Sequence, residues 1–287
     1  MRRVARRLDH HLTPANIHSV IPEIPPPADP IWSRRYDLAV DTEAAFGFLE
    51  AELSQFIDEV DAVLEDAARH GFRPWNELYE AGDTEILYAM IRYARPRRVL
   101  ELGSGFSTMI TAAACERNAA EGFPADLLAV DPTPRTDIAS SLEGRGEMEL
   151  RDANDVSIDR FEELERGDVL FIDTSHTVKL GSEVNRLFLE VLPRLADGVW
   201  VHVHDIFLPY EYPRSRLIAS GFFNEQYLLH AFLLGNAAWQ IEVPVYALWR
   251  ERRDRLVAAI PSLSSAPRDG YFPSAFWLRH DQSGASR

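Results

Sequence analysis

Short apolar or β-branched runs punctuate the middle of the chain at residues 99–102, 127–130, 148–150, 169–172 and 199–203. Between them lie helical or turn-like stretches. Runs of this length, separated in this way, predict strand–helix–strand units and a mainly parallel sheet with right-handed crossovers. Two later runs, 239–246 and 275–278, supply candidate last strands. Ahead of the first strand the period changes. From 42 to about 68 the residues Phe46, Phe48, Leu49, Leu53, Phe56, Ile57, Val60 and Val63 recur at helical spacing, which predicts an amphipathic helix laid on the body. Another helix is expected over 83–93, ending before Pro96. Five prolines between 21 and 30 exclude a regular element there and predict a linker or strap. The chain thus divides into an N-terminal arm and helical extension (1–70), an α/β body (71–281) and a short polar tail (282–287) expected to be disordered.

Composition narrows the class. With 287 residues, 46% hydrophobic and 26% charged, the chain can bury one large core and reads as a soluble globular protein. Its formal net charge of -15 works against nucleic-acid binding, which needs clustered Lys and Arg. The start, Met1 to Arg7, has four arginines but runs on into His10, His11 and prolines rather than an apolar segment, so it is expected to be a frayed arm and not a signal peptide. No window is long and apolar enough for a membrane span, and no membrane partner is expected. The one cysteine, Cys115, permits no internal disulfide and suits a reducing, cytoplasmic setting. A homo-oligomer is compatible with all of this.

The candidate chemistry begins at Arg98-Val-Leu-Glu-Leu-Gly-Ser-Gly-Phe-Ser107. An acid closing a strand, Glu101, followed by Gly103, Ser104, Gly105 and Ser107 on the way into a helix, is how a doubly wound sheet holds a nucleoside at its strand ends. A dinucleotide fingerprint wants a third glycine, where Thr108 stands, and the Glu101 charge would repel a pyrophosphate but accept hydrogen bonds from an amino group. Asp131 ends the second strand, where a carboxylate can accept both ribose hydroxyls. Asp152 follows the third strand. Each of these two aspartates also fits the plainer role of a turn or helix cap.

After the fourth and fifth strands, 167–176 and 197–206 present Asp173 and His176, then His204 and Asp205. Carboxylates and an imidazole converging from two loops can hold a divalent metal, the oxygens suiting Mg or Mn and the imidazole shifting preference toward softer ions. Such an ion would draw a hydroxyl toward its ionised form. His176 is the candidate general base. The competing readings are that Asp173 only caps a helix, and that a strand histidine is a core residue, the default for His202. The aromatic stretch from Ile206 to Gln226, with Phe207, Tyr210, Tyr212, Phe222 and Phe223, and Tyr227 just beyond, suits a lid or acceptor wall as well as core. Glu225 and Gln226 either contact the acceptor or cap a helix.

The glycine loop resembles motif I of the class I S-adenosylmethionine methyltransferases. Further motifs stand in order: Phe171-Ile-Asp-Thr-Ser-His176, Lys179, Gly181-Ser-Glu-Val184, Leu192-Pro193, His204-Asp-Ile-Phe-Leu-Pro209, Tyr212-Pro213 and Asn224-Glu-Gln-Tyr-Leu-Leu229. With them the stretch 78–246 resembles methyltransferase domain family 24. The resemblance implies a doubly wound, mainly parallel seven-stranded Rossmann-like sheet carrying an N-terminal helical extension. It implies S-adenosylmethionine as cofactor, held by Glu101, Gly103, Ser104, Gly105, Ser107, Asp131, Asp152 (near the adenine amino group) and Asp173. It also implies transfer of a methyl group to a hydroxyl of a small molecule such as a sugar, a natural product or a phenol. The chain is similar, more distantly, to metal-dependent sugar O-methyltransferases. That similarity implies Asp173 and Asp205 as metal ligands and His176 as base, with His204 standing where those enzymes have glutamate. A softer ion, or none, then fits as well as Mg. An NAD-dependent oxidoreductase and a non-catalytic cofactor-binding module are the alternatives.

Overall fold

The computed structural model describes residues 21, 23–69, 72–73, 76, 78–220, 222–265 and 271–282. The arginines of the first seven residues, His10 and His11 lie outside the described residues, as does the tail beyond Gln282.

Seven strands form one sheet: β1 (Arg98–Leu102), β2 (Asp126–Val130), β3 (Glu147–Glu149), β4 (Val169–Ile172), β5 (Trp200–Val203), β6 (Trp239–Pro244) and β7 (Phe276–His280). Their spatial order is β3-β2-β1-β4-β5-β7-β6. The first five run parallel, and β7 is antiparallel to both of its neighbours. The order reverses at β1, so the ends of β1 and β4 open a crevice at the switch point, where this class of sheet takes its ligands.

Alternation along the strands explains how both faces are covered. Val99, Leu127, Ala129, Val169 and Phe171 face one apolar layer with Ile86, Met90 and Ile110. Leu100, Leu102, Val130, Leu170 and Ile172 face the other with Val184, Phe188 and Leu229. The helices of the extension belong to the first layer. Leu49 and Leu53, both fully buried, join the same core as Met90 and Val99, and each such side chain contributes on the order of 1.5–3 kcal/mol.

Some element bounds differ from the pattern reading. The helix expected over 42–68 is a series of pieces: an α-helix Thr42–Phe48, a π-helical stretch Leu49–Leu53, and α-helices Ser54–Ile57 and Val60–Arg69. It breaks where Glu59 turns inward and takes the Arg92 guanidinium at 3.0 Å and the Tyr88 hydroxyl at 2.9 Å. Leu150 is not in β3; it is 72% exposed, and the Arg151 N–H folds back on Glu149 O at 3.1 Å. The run 239–246 stops being strand at Pro244, and Val245 opens the helix Val245–Glu251. Ala275 precedes β7, which continues to His280. Among the described residues no helix is long and apolar enough to cross a membrane.

Candidate active site

The turn after β1 is built around a close backbone approach. Gly103 has φ +86°, and a Cβ placed on it would lie 1.8 Å from the carbonyl oxygen of Asp173. Only glycine fits, because the ends of β2, β1 and β4 are stitched there: Gly103 N–H donates to Val130 O at the end of β2 and Asp173 N–H, beyond β4, to Leu102 O, both at 2.9 Å. Gly105 is extended and caps the helix Phe106–Ala120. Its N–H donates to Thr108 Oγ1 at 3.0 Å, so the residue at the third fingerprint position is occupied in holding the loop.

Glu101 is fully buried under this turn. Ser107 Oγ–H donates to its Oε1 at 2.6 Å, while Oε2 is buried without a hydrogen-bond partner among the described residues. Burial pushes its carboxyl up to about 8. Asp131 is set by Ser104, whose N–H and Oγ–H both donate to Oδ2, at 2.9 and 2.8 Å; its Oδ1 accepts the Thr133 N–H at 2.7 Å. Asp152 accepts the Asn154 N–H at 2.8 Å as the cap of a short turn. Both aspartates therefore play the capping part, and both also line a cavity of about 370 Å³ at the strand ends. Gly103, Asp173, Ser175, Lys179 and Glu183 share that lining. Lys179 is the only lysine in the chain.

Behind Asp173 the remaining candidates meet in a buried charged cluster. His176 Nδ1 lies 2.9 Å from Glu225 Oε2, and Nε2 lies 3.1 Å from Asp173 Oδ1 and 3.7 Å from Asp205 Oδ2. His204 Nδ1 is 3.5 Å from Asp173 Oδ1 and its Nε2 is 3.4 Å from Asp83 Oδ2. Arg216 Nη2 is 3.2 Å from Asp205 Oδ1. Although burial opposes charge on an imidazole, the carboxylates win: Asp173 and Glu225 push His176 up to about 10, and Asp173 and Asp205 hold His204 well above its usual value. Asp173, half-buried at the cavity wall, is driven far below the usual carboxylate range by the two histidines against the cost of its desolvation. His202 behaves as the core residue expected of it. It is fully buried, stacked on Phe171 with centroids 4.1 Å apart, and burial holds its basicity down.

The backbone at this cluster is strained. His176 and Asp205 adopt φ +54° and +55°, which non-glycine residues rarely do, and such outliers gather at functional sites. His176 is kept there by the Asn224 and Glu225 N–H groups donating to its carbonyl, at 3.0 and 3.2 Å. The aromatic stretch divides between the two readings: part of it is core, while Phe222 and Tyr227 are exposed. Phe207 and Tyr212 are fully buried, and Gln226 Oε1 accepts the Phe207 N–H at 3.0 Å; Phe223 leans on the His176 ring at 4.5 Å between centroids.

The residues missed by sequence reasoning sit around the same cluster. Asp83 accepts the Ser274 and Ala275 N–H groups, at 2.7 and 2.9 Å. Arg216 neutralises Asp205, and Tyr79 lies over His204 with centroids 4.9 Å apart. Glu80 is buried, which pushes its carboxyl up to about 7. The spacing Tyr79-Glu80 and Asp83 at the head of a helix is the only local signal of any of them. As for a metal, the chain brings Asp173, His204 and Asp205 together, but the described residues hold no group of three or more His, Cys, Asp or Glu arranged to bind an ion. The nitrogens of His204 face carboxylates and Asp205 faces a guanidinium, so the donor set does not fit a metal as it stands.

The middle of the chain matches a known family in sequence. Residues 100–206 match the family model described as a methyltransferase domain, family 24, which takes in the glycine loop, Asp131, Asp152, Asp173, His176, His204 and Asp205. No curated protein matches the chain in sequence. Among solved structures, CmcI with Mg and S-adenosylmethionine is 18% identical, covering 69% of this chain and 71% of that one at a TM-score of 0.39. The 1,6-didemethyltoxoflavin-N1-methyltransferase of Burkholderia thailandensis is 14% identical, covering 86% of this chain and 94% of that one at 0.38. Likeness at that level carries no argument about substrate. Residues 100–206 are thus similar to a methyltransferase domain, and they lie within a mainly parallel seven-stranded Rossmann-like sheet.

Proposed function

We propose that the chain transfers the methyl group of S-adenosylmethionine to a hydroxyl oxygen of a small molecule. The observation that carries this reading is the convergence, on one cavity of about 370 Å³, of the glycine turn, Asp131, Asp152 and Asp173, with His176 directly behind. The residues suit that cofactor. Glu101 has a buried, unpartnered oxygen able to accept from an ammonium, Asp131 keeps a lone pair on Oδ1 for a ribose hydroxyl, and Gly103 leaves room that any side chain would fill. The cofactor supplies a methyl group already activated on a sulfonium. The protein is left with positioning, which is the larger demand in such a transfer.

His176 is assigned as the base that takes the hydroxyl proton, at Nε2. Glu225 fixes the ring through Nδ1, the arrangement in which a carboxylate orients an imidazole and stabilises its protonated form. Held up to about 10, the imidazole is a cation at neutral pH, and the neutral ring that acts as base forms by loss of its Nε2 proton to water. Placement of Thr108 on the Gly105 N–H, with no third glycine, weighs against the oxidoreductase alternative. The acidic surface and buried Cys115 accord with a cytoplasmic enzyme acting on small molecules rather than nucleic acid. The test is methyl transfer from isotope-labelled S-adenosylmethionine to a panel of sugars, phenols and polyketides. Label appearing in an acid-stable product with wild type and about 100-fold less with His176→Ala supports the assignment. Equal rates in the two proteins would remove His176 from it.

A further inference from the structure

Both carboxylates that the resemblance would give to a metal ion already have an oxygen engaged by a group of the chain's own, and His204 keeps a buried Nε2 without a hydrogen bond among the described residues. Asp205 Oδ1 takes the Arg216 guanidinium at 3.2 Å and the Ser274 hydroxyl at 3.1 Å. Asp173 Oδ1 takes His176 Nε2 at 3.1 Å. His204 is set between Asp83 and Asp173, one ring nitrogen toward each. Arg216 does not reach in from open solvent. Its side chain is 14% exposed, its Cζ lies 5.9 Å over the buried Phe207 ring, and Phe207 is itself pinned by Gln226.

A hard divalent ion needs carboxylate oxygens at about 2.0–2.6 Å, free of a competing cation. A guanidinium is permanently charged and donates through a rigid fork that matches a carboxylate. Where glutamate would add an anion beside Asp205, this chain has His204, and where the ion would add positive charge, it has Arg216. His204 removes negative charge from the site, and Arg216 brings a fixed cation to it.

We propose that Arg216 takes the place of a divalent ion at Asp205, so that the cluster at the ends of β4 and β5 operates without a bound metal. The purpose of that charge, holding the acceptor oxygen as its proton leaves, rests on the methyl-transfer reading; the occupancy of the site by Arg216 does not. Arg216 approaches from the helix Arg214–Ser220, outside the segment that matches the methyltransferase family.

The test uses Mn²⁺ as probe on the full chain, read by electron paramagnetic resonance, for wild type, Arg216→Met and Arg216→Lys. Circular dichroism checks each fold, and calorimetry with S-adenosylmethionine on the same samples reports separately on the cofactor reading. The expected result is a free-ion spectrum for wild type and Arg216→Lys up to millimolar Mn²⁺. Arg216→Met should take up the ion about tenfold more tightly or better. Saturable uptake by wild type that is lost in Asp205→Asn overturns the proposal, as does a folded Arg216→Met that gains nothing. Should Arg216→Met fail to fold, the wild-type and Asp205→Asn titrations decide alone. Absence of S-adenosylmethionine binding would count against the methyl-transfer reading and leave the Mn²⁺ result intact.

Discussion

Glu225 Oε2 sits 2.9 Å from His176 Nδ1, with both side chains buried and 49 residues apart in the chain. The contact fixes which nitrogen of the ring faces Asp173, itself part of the cavity wall. Replacing Glu225 with Gln keeps the shape and removes the anion, leaving the imidazolium less well compensated. Turnover should fall by about tenfold or more while affinity for S-adenosylmethionine stays as in wild type. Parallel loss of affinity would mean that Glu225 supports the cofactor cavity and does not merely orient the base.

Gly103 and Gly105 look alike in sequence and differ in the structure. A methyl on Gly103 would collide with the Asp173 carbonyl at a positive φ, whereas Gly105 is extended with nothing within 4 Å of such a methyl. Gly103→Ala should cost about 3 kcal/mol or more in denaturant unfolding and abolish cofactor binding. Gly105→Ala should stay within about 1 kcal/mol of wild type in stability. Equal effects of the two substitutions would contradict the close approach.

Asp131 joins the β1 turn to the end of β2 through Ser104. Asp131→Ala should weaken S-adenosylmethionine binding by about 1–3 kcal/mol in calorimetry, the worth of charged hydrogen bonds to the ribose. Unchanged affinity would leave Asp131 as a turn residue only.

Glu101 makes cofactor binding depend on pH. Its carboxyl, raised to about 8 by burial, carries a proton at pH 7 in the free protein, and accepting from an ammonium requires the ionised form. Binding should therefore release a proton, and affinity should rise between about pH 6 and 8. Calorimetry in buffers of different ionisation heat reads that proton, and a heat independent of buffer would rule the contact out. The sign for stability is opposite. The folded state holds a proton that the unfolded chain would lose near its usual 4.5, so the Glu101 contribution is full below that value and is lost as pH climbs through about 8.

What the sequence made legible were features signalled locally. Strand-end acids and glycines follow directly on the apolar runs that predict β1, β2 and β4, so Glu101, Gly103, Asp131, Asp173 and His176 could be placed before any coordinates. Asp83, Arg216 and Ser274 could not. Asp83 meets Ser274 across 191 residues, and Arg216 reaches Asp205 from a helix whose own pattern says nothing of a site. Long-range pairing of charge leaves no period in the sequence. The same holds for the broken helix of the extension, where apolar spacing continues through Glu59 but the helix is interrupted where Glu59 pairs with the buried Arg92. The aromatic stretch after β5 carried two readings. Burial decides for core at Phe207 and Tyr212, while Tyr227 remains 42% exposed.

The most direct test of the central claim is a calorimetric titration of the full chain with S-adenosylmethionine, set beside one with NADH and repeated with Asp131→Ala. Saturable binding of S-adenosylmethionine at one site per chain, weakened in the variant, with no heat from NADH, is the predicted result. Binding of NADH with none of S-adenosylmethionine would contradict the account.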